Sequence, residues 1–143
     1  MAAYTIQKTP FVVPTTDGKR IEEHFGNATN DNAALSIAHM VAPPGWSEPF
    51  QTPEFDEYTY IIKGKKQFII EGDTIILKQG QSIKIEKNTR VQYSNPFDKP
   101  CEYLAILNRL PYVLHQAWQR WFLLDFQPDA RVLLEWVQKL EEY

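Results

Sequence analysis

The chain has a single cysteine, Cys101, which excludes an internal disulfide. In its apolar stretch Cys101 reads as a small buried residue, and no histidine stands close to it in sequence. There is no excess of basic charge. Lys and Arg total 15 against 18 for Asp and Glu, a net charge of −3. That balance supplies no basic face for nucleic acid and no polybasic run for anionic lipid. No uncharged apolar stretch is long enough to cross a bilayer. The opening residues Met1 to Ile6 carry no basic segment followed by an apolar run, so the expectation is a cytoplasmic protein without a signal peptide. No nucleophile-elbow, P-loop or dinucleotide fingerprint occurs. Glycine is absent after Gly80.

What is present divides in two. All six glycines lie between Gly18 and Gly80, and eight of the ten prolines lie at or before Pro100. Between these turn formers run short pieces rich in Ile, Val, Tyr and Thr. They are Phe11 to Val13, Leu35 to Ala42, Glu57 to Ile62, Gln67 to Ile70, Thr74 to Leu77, Ser82 to Ile85, Arg90 to Ser94 and Glu102 to Asn108. Lys63-Gly64-Lys65, Glu71-Gly72-Asp73 and Gln79-Gly80-Gln81 punctuate them as turns. This predicts an all-β, antiparallel sandwich or barrel over residues 1–110. After Pro111, Leu114, Ala117, Trp118, Trp121 and Phe122 recur at helical spacing, and Leu133, Trp136, Val137 and Leu140 form a second stripe. Residues 111–143 are expected to be a helical hairpin that packs on the barrel or on a partner subunit. Its tryptophans read as packing, or as a subunit interface where exposed.

The informative stretch runs from Gly45 to Gly64: GWSEPFQTPEFDEYTYIIKG. It resembles the first motif of the cupin family, G-x5-H-x-H-x3-E-x6-G, with Gly45, Glu57 and Gly64 at matching positions. The stretch Gly80 to Asn95 is similar to the second motif, G-x5-P-x-G-x2-H-x3-N. Gly80 and Asn95 match, and Asn88 can take the left-handed turn of the motif's glycine. The resemblance covers Leu35 to Asn108 and implies a jelly-roll β-barrel with its site in the lumen. Barrels of this family commonly pair, which implies a homodimer.

The departures bear on function. The family's metal ligands are two histidines and a glutamate from the first motif and a histidine from the second. The corresponding residues here are Gln51, Pro53, Glu57 and Val91, so only Glu57 remains a strong ligand. A divalent transition ion requires three or four good donors, so no cofactor is expected and a divalent metal is disfavoured. Its weak candidate ligands are Glu57, Gln51 and His39. Strand alternation puts Leu35, Ile37, His39 and Val41 on one face and Ser36, Ala38, Met40 and Ala42 on the other, and either face could be the lumen. Glu48 and Glu54 read as solvated loop charges.

The resemblance points Glu57 into the barrel, where a carboxylate needs a hydrogen-bond partner, water or a raised pKa. Tyr93, Asn95 and Gln51 are its expected partners. The first expectation is therefore a protein that binds a small polar organic ligand through Gln51, Glu57, Tyr93, Asn95 and His39. The second is a metal-independent isomerase, epimerase or lyase whose acid and base come from Glu57, His39 and Tyr93. The third is a metal enzyme with substitute ligands, and the fourth a regulatory module acting through its tail.

Overall fold

The computed structural model describes residues 3–30 and 34–108. The described residues form ten strands: β1 (Phe11–Val13), β2 (Arg20–Phe25), β3 (Leu35–Ala42), β4 (Trp46–Ser47), β5 (Asp56–Lys63), β6 (Lys65–Ile70), β7 (Asp73–Lys78), β8 (Ser82–Ile85), β9 (Val91–Asn95) and β10 (Cys101–Asn108). One helical turn, α1 (Asn27–Asn30), follows β2. A six-stranded sheet has the order β1-β2-β3-β10-β5-β8, and a four-stranded sheet has the order β4-β9-β6-β7. Every pairing between these strands is antiparallel. The two sheets form the jelly roll that the motif resemblance implies. The helical hairpin expected over 111–143 lies outside the described residues.

Two backbone positions explain why the turns fall where they do. Gly64 joins β5 to β6 with φ of 83°, and a Cβ there would lie 2.4 Å from the Pro100 carbonyl oxygen. Both facts demand glycine. Asn88 takes φ of 63°, the left-handed conformation that its place in the motif suggests. Two strands escaped the sequence pattern. β2 reads Arg-Ile-Glu-Glu-His-Phe, and its inward Glu23 breaks the apolar alternation. Thr29 anchors Glu23 by donating its hydroxyl to the carboxylate at 2.7 Å. β4 is only two residues long, below the length at which alternation can be seen.

The buried positions alternate strictly along the long strands. Ser36, Ala38, Met40 and Ala42 of β3 face inward, as do Glu57, Thr59 and Ile61 of β5 and Cys101, Tyr103, Ala105 and Leu107 of β10. Register aligns Tyr103 with Ile61, Ala105 with Thr59 and Leu107 with Glu57. The opposite sheet contributes Lys66 and Phe68 from β6 and Val91, Tyr93 and Asn95 from β9. Fully buried Met40, Ile61, Phe68, Val91 and Leu107 supply the apolar drive, roughly 1.5–3 kcal/mol for each large side chain. The same interior also holds Lys19, Glu48, Glu57 and Lys66, each no more than 3% exposed. That polar content sets the interior apart from an ordinary hydrophobic core.

Candidate functional site

The interior charges form two groups. In the first, Asp17 organises a turn by accepting the Lys19 backbone N–H at 3.0 Å and the Trp46 indole N–H at 2.7 Å. This lays the Lys19 stem across the Trp46 ring, with Nζ 4.3 Å from the ring centroid. Lys19 Nζ then donates to Glu48 Oε1 at 2.6 Å, an ion pair whose side chains are 2% and 1% exposed. The other oxygen, Glu48 Oε2, accepts Gln51 Nε2 at 2.7 Å. Glu48 is therefore no solvated loop charge, as its sequence setting suggested. The short strand β4 carries it inward next to Lys19, a neighbour 29 residues away in sequence.

In the second group, Tyr93 donates its hydroxyl to Glu57 Oε2 in a short hydrogen bond. Burial pushes the Glu57 carboxyl above its ordinary range, and the nearby Lys66 ammonium and the Tyr93 hydroxyl pull it partly back. Burial pushes the Tyr93 hydroxyl well up, reinforced by the Glu57 charge. Lys66 is lowered to about 8, first by burial, with Glu57 opposing. Among the described residues Lys66 makes no ion pair within 4 Å; its Nζ sits instead among ring faces. The centroids lie at 3.6 Å for Tyr103, 4.8 Å for Tyr93 and 5.1 Å for Phe68. The Tyr103 hydroxyl and the Thr59 hydroxyl are buried without a hydrogen-bond partner among the described residues. Thr59 lies in the row with the smallest inward side chains, between Ala105 and Ile83.

The residues singled out in the sequence separate accordingly. Glu57 and Tyr93 meet directly. Gln51 turns to Glu48, and its backbone forms an isolated bridge with Val91. Asn95 is buried but structural: its amide N–H groups donate to the carbonyls of Ala42, Pro43 and Lys99 at 3.2, 3.2 and 2.8 Å. His39 stands on the outer face of β3, because even-numbered positions face inward there. It pairs with Glu102 at 2.8 Å, and a second contact reaches Glu22 at 3.9 Å. The structure does not bring His39 to Glu57. Lys19, Lys66 and Tyr103 were missed, since a lysine reads as solvent-facing both in the loop before β2 and on a strand. The available signal was Lys66-Gln67-Phe68-Ile69, where alternation from Phe68 places Lys66 on the same face.

The family's metal positions were tested against these contacts. Pro53 and Val91 have no donor side chain, Gln51 is engaged by Glu48, and Glu57 by Tyr93. No group of three or more His, Cys, Asp or Glu side chains suited to a metal ion occurs among the described residues. The donor set does not fit a histidine-held transition metal.

Residues 38–107 match the family described as "Cupin domain". Over 95 residues the chain is 40% identical to a protein named Endoribonuclease YbeY from Myxococcus xanthus, covering 66% of this chain and 32% of that one. The chain thus spans about a third of the length of this curated relative. Among solved structures, an RmlC-like cupin from Shewanella frigidimarina superposes with a TM-score of 0.61 at 10% identity, covering 77% of this chain and 93% of that one. A Cupin 2 conserved barrel protein from Salinispora arenicola gives 0.59 at 17% identity, with 84% and 98% covered. With its two-motif spacing, its two-sheet jelly roll and these likenesses, the chain belongs to the cupin superfamily.

Proposed function

We propose that this cupin binds a small polar organic ligand between its two sheets, without the family's histidine metal site. The observation that carries the reading is the unsaturated half of the interior. Among the described residues Lys66 is buried without an ion-pair contact, and the hydroxyls of Tyr103 and Thr59 have no partner. Unmade buried hydrogen bonds cost about 1–3 kcal/mol each, so a fold that retains several gains by filling them with a ligand. The hydrogen-bonded pair Glu57 and Tyr93 lies beside Lys66, with the Tyr93 ring centroid 4.8 Å from Nζ, and Gln51 contacts Glu48 instead. The match to a third of a longer protein fits a binding module that can be joined to other machinery.

The test is a thermal-shift panel of sugars, polyols, amino acids and organic acids at pH 7, followed by native mass spectrometry of the best candidates. A ligand at about 100 times its Kd adds roughly 2.7 kcal/mol and raises Tm by several degrees. A folded protein that no member of the panel stabilises overturns the proposal.

The Tyr93–Glu57 hydrogen bond favours a second reading, a metal-independent isomerase, epimerase or lyase in which these two groups exchange a proton with the substrate. Glu57→Gln separates the two. Turnover lost with binding kept supports the enzyme, and binding with no product in wild-type protein supports the binder.

A further inference from the structure

We infer that the ligand is a small organic monocarboxylate, held by Lys66 Nζ with the Tyr103 hydroxyl as its second donor. This deepens the proposed lumen-binding reading and rests on it. Five charged side chains are buried, and Lys19, Glu23, Glu48 and Glu57 each have a contact of opposite sign or accept a hydrogen bond from a neighbour. Lys19 meets Glu48 at 2.6 Å, and Glu57 accepts the Tyr93 hydroxyl. Lys66 has no ion-pair contact among the described residues, and its nearest ring face is that of Tyr103 at 3.6 Å. Ring faces stabilise an ammonium in part, but they offer its N–H donors no lone pairs. The Tyr103 hydroxyl, on the ring that covers Lys66, is a buried donor with no partner among the described residues. Two such donors around one site call for an anionic acceptor.

The surroundings limit the charge and the body of that anion. Glu48 and Glu57 already occupy the interior, so a dianion such as phosphate would meet two carboxylates beside Lys66, which has no ion-pair contact among the described residues. A monoanion suits the balance. Its body would lie against Phe68, Ala105 and the unpartnered Thr59 hydroxyl, a short and mostly apolar surface with one polar position. Lowering of the Lys66 pKa to about 8 agrees with an ammonium still protonated at neutral pH and short of a counter-charge.

The experiment is isothermal titration calorimetry of the full chain at pH 7. The probes are acetate, lactate and benzoate, their neutral amides and inorganic phosphate. At least one acid is expected to bind more tightly than its amide and phosphate by about tenfold or more, the range of a charge-assisted contact. Lys66→Met is expected to remove that preference, and Tyr103→Phe to weaken acid binding by about threefold to tenfold, as one hydrogen bond would. Lys84→Met, on the outer face, should change nothing. Acids and amides binding alike, phosphate binding best, or Lys66→Met keeping the acid preference each overturn the inference. Amides binding as well as acids would overturn the anion while the lumen-binding reading stands. No binding by any probe, together with a blank thermal panel, sinks both. If Lys66→Met does not fold, the acid–amide comparison on wild-type protein decides alone.

Discussion

The interior contains two lysine–glutamate combinations that differ in one respect. Lys19 and Glu48 touch at 2.6 Å, and Gln51 takes the remaining carboxylate oxygen. Lys66 and Glu57 act on one another electrostatically but share no ion-pair contact, and each leans on tyrosines instead. A buried ion pair is tolerable when direct contact and further hydrogen bonds offset desolvation. The first combination meets that condition and works as a brace between the loop before β2 and the end of β4. The second does not meet it, and its cost is retained in the folded state. The difference assigns stability to the first and ligand handling to the second.

The largest expected effect breaks the brace. Glu48→Ala removes the carboxylate that the buried Lys19 ammonium contacts, and urea denaturation should show a loss of about 3–5 kcal/mol. The double variant Lys19→Met/Glu48→Leu should recover most of it, because no unpaired charge then remains. A large loss in the double variant would show that the brace contributes more than charge compensation.

The next prediction inverts the sign for the other combination. The Lys66 pKa falls from 10.5 to about 8 on folding. Between these values the unfolded chain binds the proton that the folded chain has lost, so stability rises with pH across that window, at up to about 1.4 kcal/mol per pH unit. The rise ends near pH 10. There Tyr93 and Tyr103, whose hydroxyls are pushed up by burial, ionise first in the unfolded chain and turn the curve down. Lys66→Met removes the rise from pH 8 upward and should add about 1–3 kcal/mol at pH 7, where the folded state carries the cost of a charged lysine. Glu57 contributes the opposite slope at acid pH. Its raised pKa means that stability falls as pH climbs past 4.5. A flat profile from pH 8 to 10 in wild-type protein would place Lys66 in contact with a counter-charge.

This contrast explains what could be read from the sequence. The barrel was legible because glycine turns and β-branched runs are local signals, and eight strands stand close to where the pattern put them. Gly45, Glu57, Gly64, Gly80 and Asn95 carried the superfamily. Glu57 and Tyr93 were legible as partners because alternation puts 91, 93 and 95 on one face. Lys19, Glu48 and Lys66 were hidden because their burial depends on partners far off in sequence: Lys19 and Glu48 are 29 residues apart. His39 could not be assigned a face, since both faces of β3 are apolar enough to be inward. Register with Tyr103 and Ala105 through Met40 and Ala38 decides it.

A smaller effect distinguishes the two tyrosines over Lys66. Tyr93→Phe removes the hydroxyl that Glu57 accepts and strands a buried carboxyl, an expected loss of about 1–3 kcal/mol. Tyr103→Phe removes a buried hydroxyl that has no partner, so the folded chain gives up no hydrogen bond while the unfolded chain loses one to water. Its stability should rise, by up to about 1–3 kcal/mol, the cost of the unmade hydrogen bond. The ring over Lys66 remains, so the ammonium keeps its nearest aromatic face. Paired chemical denaturation of the two variants is the measurement. A Tyr103→Phe loss as large as that of Tyr93→Phe would mean that the Tyr103 hydroxyl already has a partner in the ligand-free fold. It would then no longer be a donor held for a ligand, and the contrast between a saturated and an unsaturated half of the interior would rest on Lys66 and Thr59 alone.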